Sequence, residues 1–261
     1  MNDTVLIVDQ KADARFDALN PTLLRSTEEA QAAFDAHRRR AFWIVPELSG
    51  MSRLTSLQGD PHGDRRLLLL ARVEGARREV LHAKFRIVVA LTGDMKLLPI
   101  GEIAEVLGSP SPEDLFIGGI VNSVDGVVVL YRGNLESLVV PLDWFASEGG
   151  PDADLTDFEI TDSGQTVRFG EFEAASDAIL YEFDPNARRR FKERALEEDH
   201  SFGGALRRLR KQRGIRREDF EGVSAKEIAR LERGEVSKPQ PDTLWRIAKT
   251  LGVRPEDVET Y

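Results

Sequence analysis

The chain has 261 residues, of which 41% are hydrophobic and 31% charged, with a formal net charge of −9 and no cysteine. That length accommodates two domains with cores of their own, and the lack of cysteine excludes a disulfide framework, a thiolate nucleophile and a cysteine-ligated cluster. No apolar run reaches the ~18 residues of a membrane-spanning helix, and the opening MNDTVLIVDQ has neither a basic leader nor a cleavage site, so the expected setting is the cytoplasm with no membrane contact.

From the N-terminus, VLIV at 5–8 predicts a buried strand, and Leu23 and Leu24 begin another element. Ser26 with Glu29 three residues on forms a capping box for a helix through Ala36. His37, Arg38, Arg39 and Arg40 then fall near its C-terminal end, where positive charge suits the helix dipole. AFWIVP at 41–46 reads as a strand stopped by proline. LLLLARV at 67–73 and FRIVVALTG at 85–93 extend the pattern, and GEIAEVLG at 101–108 predicts a short helix. This alternation predicts an α/β domain over residues 1–113.

From Asp114 the period changes to that of hairpins. Residues 116–145 contain a turn at Asp125–Gly126 and a second at 132–134, each between β-rich segments. A loop at 148–154 precedes DFEITDSGQTVRFGEF, which alternates around a turn at Asp162 to Gly164. A β-rich domain over 114–185 follows. After Pro185 the residues 187–199 are almost wholly charged, which predicts a solvated linker helix over 186–200. The predicted fold class is therefore α+β and multidomain: an α/β and β-rich body followed by a five-helix module at 201–261.

Charge divides along the same line. Residues 201–261 hold fourteen Lys and Arg against ten Asp and Glu, a net of +4, whereas residues 1–200 hold 22 against 35, a net of −13. An acidic body with a basic module is the balance of a protein that meets phosphate through one domain.

In the module, FGGALRRLRKQRG sets Phe202, Leu206 and Leu209 on one face and stops at Gly214. RREDF is a brief second helix. Ser224 and Glu227 cap a third helix, 224–233, in which Ile228 and Leu231 face inward and Gly234 terminates. Asp242 can cap a fourth, where Leu244, Ile247, Ala248 and Leu251 form the buried stripe, and Pro255 opens a fifth. On the third helix Ala225, Lys226 and Arg230 lie away from Ile228 and Leu231. Basic side chains there can reach guanine acceptors, and a methyl can approach the thymine methyl. A solvated helical face would carry the same residues if this helix stood alone.

FGGALRRLRKQRGIRREDF, VSAKEIARLERGE and TLWRIAKTLGVRPEDV together resemble the lambda-repressor-like, or Cro/C1-type (xenobiotic-response-element), helix-turn-helix family. The turn at Glu232 to Gly234 and the segment Thr243 to Val253 carry most of the likeness. The resemblance implies that the third helix enters the major groove, with Ala225, Lys226 and Arg230 reading bases and Arg217, Arg233 and Lys238 holding phosphates. Two departures stand out. Only Glu221 and Gly222 separate the second helix from Val223 and Ser224, so that helix must be shorter or its turn tighter. Arg217 also occupies the place of a common glutamine, which removes the usual amide support of the third helix.

The middle region resembles poorly characterised β-rich domains joined to such modules, and the N-terminal pattern resembles the opening of a response-regulator receiver. A receiver needs clustered acids and an aspartate ending its third strand; here Asp9 stands alone and the strand ends in Pro46 and Glu47. The four histidines, His37, His62, His82 and His200, form no metal-binding pair. Asp9, Glu47 and Asp94 would have to converge in the fold to make a carboxylate site. No phosphate-binding glycine loop or nucleophile elbow occurs, and Trp43, Trp144 and Trp245 are read as core or interface residues. The sequence thus predicts a dimeric, sequence-specific regulator of transcription that binds double-stranded DNA, with no catalytic residue, cofactor or metal. A regulatory protein or small ligand acting on the body remains open. The alternative is a helix-turn-helix fold used for protein contact, as in an antitoxin or an assembly component.

Overall fold

The computed structural model describes residues 4–9, 13–37, 41–59, 63–72, 76–146 and 153–260. Arg38, Arg39, Arg40, His62, Val73 and residues 148–152 of the predicted loop lie outside them. The chain divides into two compact units, Met1–Pro185 and Asn186–Tyr261.

In the first unit, β1 (Thr4–Val8), β2 (Thr22–Leu24), β3 (Ala41–Val45), β4 (Arg65–Arg72) and β5 (Ile87–Leu91) form a parallel sheet in the order β2-β1-β3-β4-β5. All five residues of β3 are buried, because a central parallel strand is covered on both faces. Side chains alternate across the sheet. Leu6, Val8, Trp43, Val45, Leu67 and Leu69 enter one core together with Phe34 of α1 (Thr27–Ala36), Leu54 of α2 (Met51–Thr55) and Leu81 of α3 (Ala76–His82). Ile7, Phe42, Ile44 and Leu68 enter the other, against Phe16 of a 3₁₀ turn at Ala14–Leu19 and Ile103 and Val106 of α4 (Ile100–Gly108). On the first face Phe34, Trp43 and Phe85 meet edge to face, with centroids 5.6–6.3 Å apart. This strand order is that of a flavodoxin-like doubly wound sheet. The predicted capping box is present: Ser26 Oγ accepts from the Glu29 amide at 3.1 Å.

Two antiparallel sheets complete the unit. One runs β6 (Lys96–Leu97), β7 (Phe116–Asn122), β8 (Val127–Arg132) and β9 (Ser137–Pro141); the other runs β10 (Phe158–Thr161), β11 (Thr166–Phe169) and β12 (Phe172–Ala175), followed by α5 (Ser176–Phe183). Alternate residues of β9 are exposed and buried, as expected where one face meets water. Leu97 pairs with Gly118, so the expected division between residues 113 and 114 passes between two paired strands, and residues 1–185 cluster as one unit. A buried ion pair, Arg132 to Asp184 at 2.8 Å, ties β8 to the residue after α5.

The stretch expected to be a charged linker is helical as α6 (Pro185–Glu197), with Ala187 its buried residue. It is followed by α7 (Phe202–Gln212), α8 (Ala225–Glu232), α9 (Pro241–Leu251) and α10 (Pro255–Thr260). The expected second helix is a single 3₁₀ turn, Arg217–Asp219, with Gly222 at φ 73° three residues beyond it. The expected cap of the fourth helix is also corrected. Gln240 is the N-cap and Pro241 the first helical residue, a position that suits the fixed φ and missing N–H of proline, so Asp242 lies inside the first turn. Among the described residues no helix is long and apolar enough to cross a membrane.

Candidate nucleic-acid interface

The placement of α8 begins with its cap and its apolar stripe. Ser224 is extended at φ −69°, ψ 146°, and its Oγ accepts from the Glu227 amide at 3.1 Å. Ile228 and Leu231 are buried with Leu206 and Leu209 of α7 and Ile247 and Leu251 of α9. α7 can approach this closely because it carries Gly203, where a Cβ would overlap the Leu231 carbonyl oxygen. What remains outward on α8 is Lys226, Glu227 and Arg230, with Ala225 half-buried at its first position. Lys226 and Arg230, four residues apart, share one side of the helix.

The end of α8 is held by a charged centre. Glu232 is 1% exposed. Its Oε1 accepts from Arg210 Nε at 2.5 Å, and its Oε2 accepts from Arg217 Nη2 at 2.6 Å and Nε at 2.9 Å. Arg207 donates to the Glu232 carbonyl, and Arg210 Nη1 donates to the Ile215 carbonyl at 3.0 Å. One carboxylate thereby joins α7, the 3₁₀ turn and α8. Burial alone would raise the Glu232 carboxyl, but the hydrogen bonds and charges of Arg210 and Arg217 outweigh it and hold its pKa below the ordinary value.

Arg217, expected on a phosphate, therefore sits in the module's own frame, with two of its three nitrogens engaged by Glu232. It supports α8 by charge, through Glu232. Arg233, the C-cap of α8, and Arg230 share a different acid: Arg233 Nε donates to Glu235 Oε1 at 2.6 Å and Arg230 Nε to Glu235 Oε2 at 3.2 Å. These contacts, Arg233 first, hold the Glu235 carboxyl below its usual range. Lys238 is exposed beyond Gly234.

Sequence reasoning missed the role of Glu232, although it lies four residues after Ile228 and next to Leu231, on the inward side of the helix. It also missed Arg246, whose Nη1 donates to the Gly222 carbonyl at 2.9 Å and fastens α9 to the turn before α8. Of the tryptophans, Trp43 is fully buried and Trp144 packs edge-on to Phe145 and Phe183, but Trp245 is 60% exposed on α9. Asp9, Glu47 and Asp94 follow β1, β3 and β5 at the carboxyl edge of the parallel sheet. Among the described residues no group of three or more His, Asp or Glu is arranged to hold a metal ion.

Residues 201–260 match the family model described as a helix-turn-helix domain. The chain carries a helix-turn-helix domain at its C-terminus. No curated protein and no solved structure matches the chain. A domain of this type supports a regulatory role exercised by binding DNA or protein, with DNA the partner that the exposed cations of α8 favour.

Proposed function

We propose that the protein is a cytoplasmic, non-catalytic transcriptional regulator of the lambda-repressor-like kind, which binds specific double-stranded DNA as a homodimer. The observation that carries the reading is the division of α8: Ile228, Leu231 and Glu232 fix it from inside, and Lys226 and Arg230 stand outward beyond a capped N-terminus. In this reading residues 224–233 enter the major groove. Lys226 and Arg230 meet guanine O6 and N7, the Ala225 methyl meets a thymine methyl, and Arg233 and Lys238 meet phosphates. Arg217 positions α8 through Glu232. Two copies would read two half-sites related by the dimer axis. The acidic body serves dimerisation or regulation, since its charge of −13 is unsuited to phosphate.

Selection of duplexes from a random pool by the full chain tests this. Enrichment of a two-fold related site, with half-sites about one helical turn or a multiple apart, and a dimer by light scattering are expected. A second reading is favoured by Trp245, an exposed aromatic on α9 of a type enriched in protein contacts. Failure to enrich any site, together with co-purification of a stoichiometric protein partner, would establish that reading instead.

A further inference from the structure

Within the first unit a cavity of about 510 Å³ opens at the amino-terminal ends of the parallel strands. Doubly wound sheets hold ligands beyond the carboxyl ends of their strands, so this cavity does not follow from the sheet alone. Its floor is Val5 of β1, Phe42 of β3 and the start of β4 at Asp64 and Arg66; its opposite wall is the end of α4 and the β8–β9 hairpin. The two walls are already tied, because Arg66 Nη1 donates to the Asn134 carbonyl of that hairpin at 2.7 Å. The volume falls within the roughly 300–1,000 Å³ of small-molecule sites.

The polar groups define what would fit. Arg66 is answered by Asp64 at 3.4 Å and lies 3.8 Å from Glu136, so an anion would have to displace protein carboxylates to reach it. Glu113, half-buried at the rim, engages no cation among the described residues. Beside these stand apolar surfaces of Phe42, Leu107 and Pro110.

We propose that this cavity is a binding site for a small organic amine with an apolar, ring-sized body. The ammonium group meets Glu113 and the ring lies against Phe42 and Leu107. Because the ligand touches both the parallel sheet and the hairpin, its binding stabilises the first unit against heating, by linkage.

The test titrates the full chain with tyramine, tryptamine, phenethylamine and cyclohexylmethylamine, using calorimetry and thermal melting. Controls are 4-hydroxyphenylacetate, the carboxylate counterpart of tyramine, and ethylamine, which has the charge without the ring. At least one ring-bearing amine is expected to saturate and to raise the melting temperature, with both controls on the order of tenfold weaker. Glu113→Gln is expected to weaken that amine roughly fivefold. The proposal is overturned if no member saturates below about 10 mM, if ethylamine or the carboxylate binds as well as the ring-bearing amines, or if folded Glu113→Gln binds them as the parent does.

Discussion

In the first unit the chain buries Trp43 and Phe34 at 1% exposure or less inside a sheet covered on both faces, with one guanidinium, Arg65, laid on the Phe34 ring, whereas the C-terminal unit sets a carboxylate, Glu232, at 1% exposure beside a cluster of ten apolar residues. The contrast follows from size. A five-stranded sheet supplies two apolar faces, but a short bundle has too little apolar surface to fix the angle of each helix. A carboxylate with two guanidinium partners is directional, and here it sets the end of α8 against α7 and the 3₁₀ turn. That is the property a surface reading nucleic acid requires, since misdirected side chains cannot make bidentate contacts.

The contrast can be broken from either side. Trp43→Ala removes the centre of the aromatic trio and is expected to destabilise the first unit by about 4 kcal/mol. Hydrogen exchange should then rise throughout β1 to β5 and not in α7 to α10. Glu232→Ala leaves Arg210 and Arg217 unanswered next to an apolar core and is expected to cost about 3 kcal/mol, with exchange rising in residues 201–260 only. A change that spread into the other unit in either variant would contradict the division.

Acid sharpens the same point. Because the folded pKa of Glu232 lies below its ordinary value of 4.5, the stability it contributes is fully present above that value. It is lost as the pH falls through the folded pKa. Melting of the C-terminal unit between pH 7 and pH 3 should therefore show an acid limb that is smaller in Glu232→Gln, where the lowered carboxyls of Asp199, Asp219, Glu235 and Asp257 remain.

Smaller effects are expected at the surface of α8. Ser224→Ala removes the hydrogen bond to the Glu227 amide and should cost about 1 kcal/mol, read as a lower urea midpoint for the C-terminal unit. Glu235→Gln releases Arg230 and Arg233 and removes a negative charge beside them. It should tighten binding to selected DNA about two- to threefold at low salt, less at high salt; unchanged or weaker binding would show that Glu235 does not compete with DNA for these arginines.

What the sequence made legible was local or periodic. Ser26 and Glu29 sit three residues apart and cap α1, and AFWIVP names a strand and the proline that stops it. α2 and α3, of five and seven residues, are too short to show a helical period. The two-residue β6 exists only through its pairing with β7, which also joins segments that composition separates at residue 113. In the interface, Ser224, Ile228 and Leu231 announce where α8 begins and which side is buried. The function of Glu232 was not legible, because its partners lie 22 and 15 residues away and only the folded chain brings them to it. The same distance hid the ion pair of Arg217, to which the resemblance assigned a phosphate by position alone.

The account stands most directly on the outward face of α8. The measurement is equilibrium binding of the full chain, and of folded Lys226→Ala, Arg230→Ala and the double variant, to a selected duplex and to one with the central base pairs of each half-site exchanged. Each lost base contact should cost about 1–3 kcal/mol of discrimination, so the double variant should bind both duplexes nearly alike while keeping much of its affinity for unrelated DNA. A double variant that discriminates between them as the parent does would contradict the assignment of α8 as the element that reads the sequence.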